Sequence, residues 1–190
     1  PSPEQITRAN SQEQKFLEGP RSRTDEFFRL LRIIKEFIRG FRALHFVGPC
    51  VTVFGSARFK EDNPHYQLAR DMGTALARNG FTVMTGGGPG IMEAANRGAF
   101  DVGCKSIGLN IKLPGEQQPN PFITPELCFQ FKYFALRKFH FILRSVGAVL
   151  FPGGFGTLDE MFQTLTPRQT HKMQPIPIIL FGHDYWSKVI

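Results

Sequence analysis

Two stretches of this chain have the composition of anion-binding loops. Gly86-Gly87-Gly88-Pro89-Gly90 follows an apolar run, Phe81 to Met84, and opens a segment with helical spacing. At such a strand-to-helix junction the backbone N–H groups and the positive end of the helix dipole converge, and glycine lets a phosphate oxygen come close. Pro152-Gly153-Gly154-Phe155-Gly156-Thr157 repeats the arrangement after a second apolar run, Val146 to Phe151. One loop of this kind is as readily a tight turn; two of them, at the carboxyl ends of strands, point to a phosphate-bearing ligand. Neither loop follows GxGxxG, because Glu93 stands where a third glycine would follow Gly88 and Gly90, and GxxxxGK[ST] is absent. An ordinary dinucleotide site or P-loop is disfavoured.

Other chemistries narrow by elimination. The five histidines show no HExxH or paired spacing, and Cys50, Cys104 and Cys128 form no CxxC pair, so neither a metal site nor a disulfide framework is expected. Isolated lysines such as Lys132 give no support for a covalently bound cofactor. The excess of 23 Lys and Arg over 16 Asp and Glu, a formal charge of +7, favours anionic ligands. Reduced cysteines, the lack of a roughly 20-residue apolar span and the polar N-terminus together suggest a soluble, cytoplasmic protein.

The elements that must position these loops alternate. Strands are expected at Cys50 to Phe54, Phe81 to Met84, Ser106 to Ile111, Leu127 to Phe131, Val146 to Phe151 and Pro177 to Phe181. Helices are expected at about Pro64 to Asn79, from the first glycine run to about Phe100, at Tyr133 to Ser145 and after Gly156. Residues 112–126, rich in Pro, Gly and Gln, read as a long loop. The pattern implies an α/β, Rossmann-like open parallel sheet with helices on both faces and ligands bound beyond the strands' carboxyl ends. Residues 1–23 read as a polar tail and 24–190 as one domain, with 24–47 a helical extension. In that extension Thr24 is the expected cap, and Phe27, Leu30, Leu31, Ile34, Phe37, Ile38 and Phe41 recur at helical spacing. The chain starts at Pro1 and stops at Ile190, just after a final helix begins near Tyr185, so truncation at both ends, of that last helix in particular, is expected.

The glycine stretches resemble the LOG family, cytokinin-activating phosphoribohydrolases with an older "lysine decarboxylase-like" label. Gly86 to Met92 matches GGGxxGxM except that its fifth rather than sixth residue is glycine, and Pro152 to Glu160 completes PGGxGTxxE. The likeness runs from about Val51 to the chain end, and the preceding helix resembles the extension of longer bacterial members. The resemblance implies hydrolysis of a purine nucleoside 5′-monophosphate, N6-modified or plain, to free base and ribose 5-phosphate, with neither metal nor redox cofactor. It implies a catalytic pair, Arg137 and Glu160. It also implies substrate or phosphate contacts at Gly86, Gly87, Gly88, Gly90, Lys138, Gly153, Gly154, Phe155, Gly156, Thr157 and Asp159, with Glu116 as the nearest match to a substrate-contacting glutamate. The residues before the dipeptide, Phe134-Ala135-Leu136, depart from the plant-type Met-His-x-Arg-Lys. Breaking an N-glycosidic bond puts positive charge on the sugar and negative charge on the leaving base; a carboxylate and a guanidinium suit those needs. Glu160 can serve the sugar, while Arg137 can serve either the phosphate or the base.

Competing readings come from the same residues. Thr157-Leu158-Asp159-Glu160 is also a capping box, with Thr157 as cap and Glu160 reaching back. Arg137 is also an ordinary solvated helix charge. Arg29, Arg32, Lys35, Arg39 and Arg42 form a basic stripe on the first helix, read as a solvated face rather than a nucleic-acid or membrane surface, because the aromatic residues do not interleave with it. The helix's apolar face is expected to pack on the domain or on a second copy, making the protein a homo-oligomer with a dimer as the smallest unit. The functional rival is a noncatalytic nucleotide or molybdenum-cofactor carrier using the same loops.

Overall fold

The computed structural model describes residues 19, 22–111 and 118–190. Its centre is a six-stranded sheet in the order β4-β3-β2-β1-β5-β6, every neighbouring pair parallel. The strands are β1 (Cys50–Phe54), β2 (Thr82–Thr85), β3 (Ser106–Ile111), β4 (Cys128–Phe131), β5 (Ser145–Leu150) and β6 (Ile178–Leu180). Between them run α2 (Pro64–Arg78), α3 (Ile91–Asp101), α4 (Phe134–Arg144) and α5 (Phe155–Gln169), with α1 (Arg23–Leu44) before the sheet and α6 (His183–Trp186) after it. This is the expected Rossmann-like α/β fold, with strand and helix ends within a few residues of the sequence reading.

Alternation along the strands assigns the two faces. Val51 and Val53 pack with Tyr66, Ala69, Ile91 and Ala95 beneath α2 and α3, while Cys50 and Phe54 pack with Phe141 and Met161 beneath α4 and α5. The helices α2 and α3 touch backbone to backbone. A Cβ on Gly73 would run into the Ala95 carbonyl, and one on Gly98 into the Arg70 carbonyl. Across the sheet the contacts are aromatic. His140 of α4 is fully buried against Gly40 of α1 and lies 5.3–6.2 Å, centroid to centroid, from the rings of Phe37, Phe41, Phe131 and Phe139. Burial, with Arg144 nearby, pushes the imidazole down to about 4, so it is neutral at physiological pH.

One expectation for α1 is corrected. Its cap is Ser22, whose Oγ accepts from the Asp25 N–H at 3.3 Å, so Thr24 lies inside the first turn. Only Gly40 and Leu44 of α1 are buried; Phe27, Phe28, Leu30, Leu31, Ile34 and Ile38 stay 43–59% exposed. No helix of the described residues is long and apolar enough to cross a membrane.

The chain builds outward from β1 to β4, then returns through α4 to place β5 on the other flank of β1. The loops after β1 and β5 therefore diverge and open a crevice at the carboxyl edge, the point where doubly wound sheets bind ligands.

Candidate active site

That crevice is a cleft of about 810 Å³, a size suited to a small organic ligand. The loop after β1 lines it with Ser56 and Arg58, the first glycine loop with Gly86 and Gly88, and α3 with Met92; Asn110 and Ile111 come from β3. Arg137 comes from α4, and Gly154, Phe155, Gly156, Thr157 and Glu160 complete the wall.

The first glycine loop is fixed from beneath. Gly87 and Gly90 have φ of +71° and +70°, the left-handed region that only glycine adopts cheaply. The Gly87 N–H donates to Thr85 Oγ1 at 3.0 Å, and Thr85 Oγ1 donates to Asn96 Oδ1 at 2.6 Å. Asn120 Nδ2 donates to both the Gly88 carbonyl and Asn96 Oδ1 at 3.0 Å, while its backbone N–H donates to the Gly87 carbonyl at 2.9 Å. Thr85, Asn96 and Asn120 are all buried. The Ile91 N–H at the start of α3 donates to the Ser56 carbonyl at 3.1 Å.

The second loop is open by contrast. The cap residue of α5 is Gly154, with no side chain to satisfy the first amides, and the Phe155 and Gly156 N–H groups have no acceptor among the described residues. The loop is held from behind, where Ser56 N–H donates to the Pro152 carbonyl at 3.0 Å and the Tyr185 hydroxyl donates to the Gly153 carbonyl at 2.5 Å. Because α5 begins at Phe155, Thr157 is a first-turn residue whose N–H bonds the Gly154 carbonyl at 3.0 Å. The capping box is thereby overturned: the cap position falls three residues before Thr157, and Glu160 points elsewhere.

Glu160 meets Arg137. Its Oε1 accepts from Arg137 Nη2 at 2.7 Å, with the side chains 5% and 15% exposed. The guanidinium carbon lies 5.5 Å from the ring centroids of both Phe134 and Phe141, which hold the group in place. Burial raises the Glu160 carboxyl above its ordinary value against the pull of Arg137, with Asp159 adding a little upward and Lys138 a little downward. Arg137 is thus no solvated charge. One residue along each helix, Lys138 Nζ pairs with Asp159 Oδ2 at 2.5 Å, more exposed and outside the cleft lining.

Of the residues expected from sequence, Gly86, Gly88, Arg137, Gly154, Phe155, Gly156, Thr157 and Glu160 face the cleft. Gly87, Gly90 and Gly153 shape the loops behind it, and Lys138 and Asp159 flank it. Glu116 lies outside the described residues. Ser56, Arg58, Met92 and Asn110 were not anticipated. A polar Asn110 inside an apolar strand was the available signal, and the cleft position of the loop after β1 follows from the sheet order.

Comparison with known proteins bears on the family and the fold. The pyrimidine/purine nucleotide 5′-monophosphate nucleosidase of Escherichia coli K12 is 29% identical over 177 residues, which cover 86% of this chain; the chain spans only 38% of that relative's length. Among solved structures, the molybdenum cofactor carrier protein of Chlamydomonas reinhardtii superposes with a TM-score of 0.54 at 25% identity, covering 70% of this chain and 75% of that one. The molybdenum cofactor binding protein of Rippkaea orientalis shares the fold, with a TM-score of 0.57, 22% identity and coverage of 76% and 83%. The family profile described as "Possible lysine decarboxylase" matches residues 92–190, more than half of the chain, which therefore belongs to that family, the one its two glycine motifs resemble.

Proposed function

We propose that this chain hydrolyses the N-glycosidic bond of a nucleoside 5′-monophosphate, releasing free base and ribose 5-phosphate. The observation that carries the reading is the ion pair of Arg137 with the buried Glu160, set in the cleft beside the uncapped start of α5. The open amides of α5 receive the phosphate. The sugar then lies against Glu160, whose carboxylate stabilises positive charge as the bond from C1′ to the base nitrogen breaks and its electron pair leaves with the base. Water oxygen bonds to C1′, and its proton ends on the base. Arg137, held over two phenyl rings, orients Glu160 and offsets part of the cost of burying its charge. The name of the nucleosidase relative, at 29% identity, supports this reaction.

The test is release of free base and ribose 5-phosphate from a panel of purine nucleoside 5′-monophosphates, N6-substituted ones included, alongside the matching nucleosides. Turnover is expected for the nucleotides and little for the nucleosides, since much of the binding comes through the phosphate. Equal turnover of both would overturn the phosphate placement. The likeness to the Chlamydomonas carrier favours a second reading, in which the same cleft holds a phosphorylated cofactor without cleaving it. Tight binding of nucleotides with no release of base would select the carrier.

The exposed apolar row of α1, continued on α4 by the 43–44% exposed Phe139 and Leu143, is assigned here to a second copy of the chain. Light scattering at micromolar concentration should give at least a dimer; a monomer would reject the assignment.

A further inference from the structure

We infer that Asn110 contacts the base of the bound nucleotide, forming the end of the cleft opposite the phosphate. The inference rests on the nucleotide reading above and adds to it a residue that sets base preference.

On β3, Leu109 and Ile111 turn into the core beneath α4, so Ser106, Gly108 and Asn110 face the other way. The first two are covered: Ser106 Oγ donates to the Phe122 carbonyl at 3.1 Å, and Gly108 lies against Ile123. Asn110 is the last of the row and emerges in the cleft wall beside Gly87. It is 8% exposed, yet its carboxamide makes no hydrogen bond with any described residue, whereas the nearby Asn96 and Asn120 are bonded into the network under the glycine loop. Its amide oxygen and nitrogen are open to the cleft, where a ligand can bond both.

Position decides what it meets. The Gly87 and Ile91 amides on the first loop's side are already taken by Thr85 and Ser56, while the Phe155 and Gly156 amides of α5 are not, so the phosphate sits at the β5 end. From β5 to β3 the sheet crosses β1 and β2, three strand spacings or roughly 14 Å, about the reach of a nucleotide from phosphate to base edge. Glu160 lies at the β5 side of that span and Asn110 at its far end. A carboxamide presents one donor and one acceptor side by side, and by turning over it can match an amino group next to a ring nitrogen or a carbonyl next to a ring N–H.

The experiment compares the parent with Asn110→Leu, which keeps the volume and removes both polar groups, and with Asn110→Asp, which keeps the shape and leaves acceptors only. kcat/KM is measured for AMP, IMP, CMP and UMP, together with inhibition by ribose 5-phosphate, which has no base. Asn110→Leu should lose about tenfold or more in kcat/KM for the best nucleotide and narrow the spread among the four, with ribose 5-phosphate inhibition within about twofold of the parent. Asn110→Asp should reorder the four rather than lower them alike. Equal losses for all four nucleotides and for ribose 5-phosphate, or no change at all, would overturn the assignment. If the parent cleaves none of the four, the hydrolytic reading fails separately, and calorimetric binding of AMP against ribose 5-phosphate to the same variants decides the role of Asn110. Should Asn110→Leu not fold, Asn110→Asp alone carries the comparison.

Discussion

The same pair of helices, α4 and α5, carries two ion pairs side by side, and they differ in almost everything but the signs of their charges. Glu160 is buried and Arg137 15% exposed, both face the cleft, and the guanidinium lies over two phenyl rings; Lys138 and Asp159 are 25% and 51% exposed and flank it. An exposed lysine pair gains little net energy, because water already solvates both charges. A buried pair pays a large desolvation cost, which its attraction only partly returns, so on stability grounds alone an apolar pair would serve as well. The cost falls where a carboxylate is wanted without water around it, a reason to read the inner pair as chemistry and the outer one as a surface contact between helices.

The largest expected effect comes from Glu160→Gln, which keeps the hydrogen bond to Arg137 and removes the charge. kcat for base release should fall by about a hundredfold or more. Near-parental turnover in a variant that melts within a few degrees of the parent would erase the distinction between the pairs. A double-mutant cycle comes next. Arg137→Gln, Glu160→Gln and the double change should show a coupling of about 1–3 kcal/mol in chemical denaturation, against less than about 0.5 kcal/mol for Lys138→Ala and Asp159→Ala. Similar couplings would mean that burial does not separate the two.

The pH dependence sharpens the comparison further. Burial holds the Glu160 carboxyl above its unfolded value, so the protonated form is the one favoured by folding. That contribution is fully present below the unfolded value and is lost as pH rises through the folded one. The acid limb of kcat/KM should accordingly lie above that of an exposed carboxylate and vanish in whatever activity Glu160→Gln retains. The smallest effect is assigned to the outer pair, where Lys138→Ala should leave kcat/KM within about threefold and stability within about 0.5 kcal/mol. A larger loss in KM would return Lys138 to the substrate-contacting set that sequence resemblance had suggested.

Strand and helix alternation was legible because each strand is a short apolar run bounded by Gly, Pro or Asn, and the glycine loops were legible because their composition suits a strand-to-helix turn. The boundary of α5 was not. Thr157 and Glu160 have the spacing of a capping box, but the extended backbone at Gly154 starts the helix three residues earlier and leaves Glu160 free to cross to Arg137. Which of the two, the domain or a second copy, covers the apolar side of α1 was not legible, since period alone cannot say which apolar face finds a partner within the chain. Asn110 escaped because its importance depends on strand order, a property of long-range pairing that local sequence does not carry.

The buried network beneath the first glycine loop has a thermodynamic consequence. Thr85, Asn96 and Asn120 tie both Gly87 and Gly88 to groups that water does not reach. Backbone freedom in that loop is therefore given up when the chain folds, not when a ligand arrives. Ordering one residue costs about 1–2 kcal/mol, so a loop of this length left loose would set a heavy entropic charge against each binding event. Here that wall of the cleft keeps one shape through successive cycles of occupation and release, and ligand exchange on that side needs no refolding of the loop.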